Sequence, residues 1–119
     1  MVNLDTHVLV FALSGEVTDR ERRILAANTW SISAIVFWEL AKLVQLGRVD
    51  LNLDDADVVR TLSGIQVWPL DLAVSVQSTR LDFRGDPADE IIAATSVVHR
   101  IPLITRDRRI RGSRIVPLA

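Results

Sequence analysis

The chain has 119 residues, 49% of them hydrophobic, with 5 Gly and 4 Pro. That composition fits one compact domain over residues 1–119 and excludes a collagen-like or low-complexity chain; at this size folding removes roughly two-thirds of the unfolded surface from water. With no Cys, disulfides, thiol nucleophiles, Cys-zinc sites and iron–sulfur centres are all excluded, so any metal must use oxygen ligands or His7 and His99. The formal charge of -1 conceals an asymmetry: residues 1–59 carry 5 basic and 9 acidic groups, residues 60–119 carry 9 and 6. Five Arg fall between Arg106 and Arg114, a planar-fork cation run suited to phosphate. The opening MVNLDTHVLVFALSGEV lacks a basic leader and cleavage site, and no apolar run reaches 18 residues. A soluble, unprocessed cytoplasmic protein with no membrane association is the expectation.

In chain order, the apolar run at residues 2–4 predicts a first strand, closed by Asp5 at a strand end or helix start. A second apolar run, THVLVFAL, follows. Asp19 opens a helix toward Ala27, and residues 30–33 predict a strand. Ser33 can cap a helix through AIVFWELAKLVQL that stops at Gly47, a residue at ease in the left-handed conformation. Asp54 or Asp55 starts a helix toward Leu62, residues 65–70 predict a strand, and Asp71 starts a helix toward Leu81. Asp86-Pro87 opens a helix toward Arg100, with Pro at the first helical position. Strands at 102–105 and 115–118 complete the series. Strands alternating with helical crossovers must be parallel, so the expected architecture is a three-layer α/β/α sandwich with its ligand site at the carboxyl ends of the strands.

Several acids sit where that architecture gathers strand ends and helix starts. Asp5 alone is explained as a helix cap. Glu39 is harder to explain, because its helical neighbours Ile35, Val36 and Leu43 are apolar and burying an unpaired carboxylate costs several kcal/mol; an ion pair with Lys42 or an Arg is the ordinary alternative. Asp86, Asp89 and Glu90 fall in the first turn of one helix, where acids also serve as caps, with Glu90 rotated toward solvent. Asp107 follows the strand PLIT, where a surface ion pair would also account for it. Taken together, four or five carboxylates converge on one cleft, and their mutual repulsion calls for a cation. Oxygen-only ligands match Mg²⁺ and Mn²⁺, and such clefts hydrolyse phosphodiesters.

The segments NLDTHVL, SAIVFWELAKLVQLGRV, GDPADEIIAATSVVH and PLITRDRRI resemble, in order and spacing, a PIN domain of the VapC-type toxin ribonucleases from toxin–antitoxin pairs. The resemblance implies an acidic quartet of Asp5, Glu39, Asp89 and Asp107. It implies Mg²⁺, or Mn²⁺, held by Asp5 and Asp89 with Asp86 and Asp107 nearby, and carboxylate-orienting hydroxyls at Thr6, Ser33 and Thr105. The implied activity is metal-dependent endonucleolytic cleavage of RNA. Arg106, Arg108, Arg109 and Arg111 would hold RNA phosphates, with an exposed charged turn or an antitoxin-receiving surface as the alternatives. His7 and His99 have no role in this scheme, and Phe11, Trp30, Phe37, Trp38 and Trp68 are expected in the core or an interface. The implied partners are a cognate antitoxin, through which alone DNA is contacted, and a second copy in a homodimer or a larger hetero-assembly. Two other readings stay open: an operator-binding partner module with weak nuclease activity, and an RNA- or DNA-processing nuclease with no toxin role.

Overall fold

Strands of two to four residues hold together here because each pairs in parallel with a neighbour and is covered by helices. The computed structural model describes residues 1–119. In chain order the elements are β1 (Val2–Leu4), α1 (Thr6–Ser14), α2 (Asp19–Ala27), β2 (Trp30–Ser33), α3 (Ile35–Gln45), α4 (Ala56–Ser63), β3 (Gln66–Trp68), α5 (Leu72–Ser78), α6 (Pro87–His99), β4 (Leu103–Ile104) and α7 (Arg108–Arg111). The four strands form one sheet in the order β3-β2-β1-β4, all parallel. This is the expected three-layer α/β/α architecture.

Every residue of β1 and β4 is buried, as strands covered on both faces must be. Leu4, Leu9, Ile32, Leu40, Ile92 and Leu103 lead the core, each contributing about 1.5–3 kcal/mol through burial. In α6 the small residues Ala88, Ala93, Ala94 and Ser96 are buried with Ile92, which lets its backbone approach the sheet. There Asn3 of β1 donates from Nδ2 to Ser96 Oγ (2.9 Å) and to the Ile92 carbonyl (3.4 Å), tying the central strand to that helix.

Local chemistry sets the helix ends. The run THVLVFAL forms α1, closed by Gly15 at φ 75. Asp19 opens α2, which runs to Ala27 as expected, and Thr18 before it is the cap, in a reciprocal box with Glu21. Ser33 lies one residue before the cap position of α3, which Ala34 occupies, yet its hydroxyl accepts from the Ile35 N–H at 3.3 Å. Asp55 and Asp71 cap α4 and α5 as expected, although α5 ends at Ser78, short of Leu81. The strand expected at 65–70 spans Gln66–Trp68 and stops before Pro69, which has no N–H to donate.

The fifth strand, expected at 115–118, is a single bridge between Leu103 and Leu118. Pro117 brings no donor, and the Ile115 and Val116 N–H groups are taken by the Ser113 hydroxyl at 3.1 Å each, so only isolated contacts to Leu103 remain. No helix is long and apolar enough to cross a membrane.

From β1 the chain steps outward to β2 and β3, then returns to place β4 on the other side of β1. In parallel sheets the carboxyl ends of the strands on either side of such a reversal, here β1 and β4, are where ligands are received. Asp5 follows the first of these strands, and Thr105, Arg106 and Asp107 follow the second.

Candidate active site

Asp5 occupies both positions that its sequence context allowed: it follows β1 directly and caps α1. Its side chain is 4% exposed. Oδ1 accepts from the Thr6 N–H (2.8 Å) and Oδ2 from the Thr105 hydroxyl (2.5 Å). Burial pushes the Asp5 carboxyl above the usual range, against the pull of those two hydrogen bonds and of His7; the charge of Asp107 adds to the rise.

Glu39 projects from the second turn of α3 and is half-buried, and its Oε1 is fully enclosed with no hydrogen-bond partner. Lys42 does not pair with it; its ammonium donates to Gln45 Oε1 instead, at 3.3 Å. Asp89, the third residue of α6, completes a trio. One carboxylate oxygen each from Asp5, Glu39 and Asp89 lies within 4.8 Å of the others. Burial raises the Asp89 carboxyl to about 6, and the charges of Asp5, Glu39, Asp107 and Asp86 push the same way.

Asp107 stands just outside the trio. It caps α7, its Oδ1 accepting from the Arg109 and Ile110 N–H groups at 2.8 and 3.2 Å, while its charge reaches Asp5 and Asp89. Asp86 holds the cap position of α6 without making a side-chain cap bond, and it is exposed.

Of the three expected orienting hydroxyls, Thr105 donates to a carboxylate. The Thr6 hydroxyl is buried and unpartnered, and Ser33 serves the start of its own helix.

The Arg run divides. Arg106 turns to α2, where Nε and Nη2 donate to Glu21 at 2.8 and 2.7 Å, and it lies 4.0 Å over the Phe11 ring. Arg111 donates to the Thr105 carbonyl at 3.2 Å. Arg109 donates to the Arg84 carbonyl at 3.4 Å. A Cβ at Gly85 would lie 3.7 Å from Asp89 Oδ2 and 3.9 Å from Arg109 Nη1, ordinary contact distances that put this residue between the two side chains. Arg108 is exposed.

His7 faces solvent, and His99 stacks on Trp68 with ring centroids 4.1 Å apart. Phe37 and Trp38 lie outside the core, Trp38 with 57% of its surface exposed. Sequence reasoning missed Asn3 and Glu21. The signal for Asn3 was an amide inside an apolar strand two residues before Asp5; for Glu21 it was the T-x-x-E capping pattern, which says nothing of a partner 85 residues away.

The PIN domain family model matches residues 2–113: the chain belongs to the PIN-domain family. Within that family it is similar to Ribonuclease VapC22 of Mycobacterium tuberculosis, 37% identical over 95 residues that cover 74% of this chain and 70% of that protein. Its fold matches that of VapBC2 from Rickettsia felis, bound to a DNA fragment from their promoter, with a TM-score of 0.73 at 19% identity over 100% of this chain and 98% of that one. A toxin–antitoxin complex from Klebsiella pneumoniae gives 0.69 at 21% identity, over 94% and 92%.

Proposed function

We propose that this chain is the toxin of a toxin–antitoxin pair: a divalent-metal-dependent endoribonuclease that hydrolyses RNA phosphodiester bonds and is restrained by a cognate antitoxin. The observation that carries this reading is the convergence of Asp5, Glu39 and Asp89 within 4.8 Å, in a chain 37% identical to a VapC ribonuclease. Asp5 at the end of β1, Glu39 of α3 and Asp89 of α6 bring three carboxylates together with no cationic side chain paired to them, an arrangement that a bound cation would stabilise.

The donor set fits Mg²⁺ or Mn²⁺. It is all oxygen, Glu39 Oε1 is buried and unpartnered, and the burial and neighbouring charges that raise Asp89 would be offset by a dication. Asp5 and Asp89 would hold the ion, with Asp86 and Asp107 close by. Bound there, a dication would lower the pKa of a bound water and supply a counter-charge for phosphate oxygens.

The chain's own residues do the rest. Thr105 and the Thr6 N–H orient Asp5 and favour its ionised form. Glu39, with no donor in the protein, is the acceptor available to an attacking water. Thr6 and Ser33 are proposed as supporting hydroxyls. Arg108, Arg109 and Arg111 border the crevice as contacts for RNA phosphates, and Arg109 lies beside Asp89 across Gly85.

The solved relatives are toxin–antitoxin complexes, one of them on promoter DNA, which supports a cognate antitoxin as partner and DNA contact through it. Phe37, Trp38 and Leu46 expose apolar surface on and just after α3, in keeping with a homodimer.

The test is cleavage of a structured RNA pool by purified protein with Mg²⁺, with Mn²⁺ and with chelator, beside Asp5→Asn and Asp89→Asn. Metal-dependent cutting lost in both variants is the expected result. Cutting that persists at the wild-type rate in Asp5→Asn would overturn the proposal.

A further inference from the structure

Thr105 is the residue that holds Asp5 from across the sheet, and the turn that carries it is itself held from outside the acidic cluster. Its hydroxyl donates to Asp5 and accepts from the Asp107 N–H at 3.0 Å. Its carbonyl accepts from Arg111. Residue 106, one peptide bond from both Thr105 and Asp107, is tied to α2. Both edges of the Arg106 fork meet the Glu21 carboxylate; Nη2 also reaches the Glu16 carbonyl at 3.2 Å, and Phe11 backs the plane. Glu21 is immobilised in turn, since its Oε1 accepts from the Thr18 N–H at 2.9 Å in the capping box. Its side chain is 8% exposed. An Arg meant for substrate phosphate would offer this fork to the crevice, whereas here it is bound to a fixed, nearly buried carboxylate.

We propose that the Glu21–Arg106 pair is a positioning device for the acidic site: it fixes the 105–107 turn so that Thr105 keeps Asp5 in place, and Arg106 is not a phosphate contact. The proposal rests on the reading of the cluster as a metal-dependent nuclease site, and it adds two residues that act through others. Groups that orient ligands carry effects of about 10–100-fold on metal affinity or activity, which sets the scale for a device one step further out.

The experiment uses the full 119-residue chain as wild type, Glu21→Gln, Arg106→Gln, the double variant and Arg106→Lys. Glu21→Gln keeps an acceptor for the capping box while removing the charge that holds Arg106. Three readouts are taken: amide hydrogen exchange on metal-free protein, Mn²⁺ affinity by electron paramagnetic resonance, and kcat with KM on an RNA substrate.

A positioning role predicts about 10-fold faster exchange at the Asp107 amide in both single variants, with the core-strand amides unchanged. It also predicts Mn²⁺ affinity and kcat falling together by about 10-fold, an unchanged KM, a double variant no worse than either single one, and partial recovery in Arg106→Lys. A rise in KM confined to the Arg106 variants, with Asp107 exchange and Mn²⁺ affinity unchanged in Glu21→Gln, overturns the proposal. Absence of cleavage by wild type removes the nuclease reading and leaves Asp107 exchange and Mn²⁺ affinity to decide the positioning role by the same criteria.

Discussion

The Asp5, Glu39 and Asp89 cluster and the Glu21–Arg106 pair both withdraw carboxylate from water near the carboxyl end of the sheet, and they are built in opposite ways. Glu21 receives both edges of a guanidinium and the Thr18 N–H; the Arg106 bonds, first among the causes, hold its carboxyl down at about 2. In the cluster, Asp5 is buried with two hydrogen bonds, Glu39 has a buried oxygen with none, and Asp89 is raised to about 6. One group of acids carries its cation within the chain. The other has no cationic partner within the chain. An isolated fold would lose stability by keeping the second arrangement, so its persistence points to function.

Removing a charge should therefore have opposite consequences in the two places. At the cluster, Asp5→Asn or Asp89→Asn should lower RNA cleavage on the order of 10²–10³-fold, the scale of one lost electrostatic group at a reacting centre. Asp89→Asn should also leave the metal-free protein as stable or raise its stability by about 1 kcal/mol, because it removes a carboxylate that burial and neighbouring charges disfavour, whereas Asp5→Asn also gives up the acceptor for the Thr105 hydroxyl. Cleavage assays and urea unfolding on the same preparations check both halves. Lost activity accompanied by a large loss of stability would make the cluster structural.

Adding the missing charge is the next test. Mg²⁺ or Mn²⁺ at about 100 times its dissociation constant should stabilise the wild type by about 2.7 kcal/mol, a rise in Tm of roughly 10 °C in a chain of this size. In Asp89→Asn that rise should shrink to near zero. An equal rise in both proteins would place the ion elsewhere.

At the pair, Glu21→Ala should cost about 2 kcal/mol: less than the 3–5 typical of a broken, fully buried pair, since Arg106 is 38% exposed, but including the loss of the capping box. Denaturant unfolding reads it directly. A cost below about 0.5 kcal/mol would class the pair with ordinary surface ion pairs.

The two regions also differ in how legible they were in the sequence. Glu39 stood out because its carboxylate lies among the apolar Ile35, Val36 and Leu43, with Lys42 as the one local cation, and a parallel sheet brings the strand ends and helix starts that carry Asp5, Asp89 and Asp107 to one side. Local rules likewise placed β1, β2, α3 and α6, whose apolar runs are bounded by polar residues, Pro or Gly. The Glu21–Arg106 pair was hidden because no local rule joins residues 85 apart; Arg106 read as one more member of a basic run. Asn3 was passed over because its partners, Ser96 and Ile92, become neighbours only when α6 lies on β1. The bridge at Leu118 replaced a strand because the Ser113 hydroxyl took the Ile115 and Val116 N–H groups and Pro117 has none to give. The surplus of apolar residues on α3 allowed Trp38 a place in the core or at an interface, and its exposure falls on the second side of that choice, which apolar spacing alone does not decide.

The smallest effect separates the two regions by the sign of a pH slope. Asp89 binds its proton more tightly folded than unfolded, so between about pH 4 and 6 the native state holds more protons and stability falls as pH rises. Asp5 acts in the same direction. Glu21 does the reverse: its contribution is complete above its unfolded value near 4.5 and is lost as pH falls toward 2. Each slope should amount to about 1 kcal/mol, because water reaches half-buried Asp89 and the Arg106 side of the pair and weakens both. Unfolding free energies of metal-free protein from pH 3 to 7 should thus show Asp89→Asn flattening the limb above pH 4 and Glu21→Gln flattening the limb below it. If Asp89→Asn instead steepened the upper limb, its carboxylate would be stabilised in the fold without metal, and the contrast between a satisfied acid and one built to receive a cation would be lost.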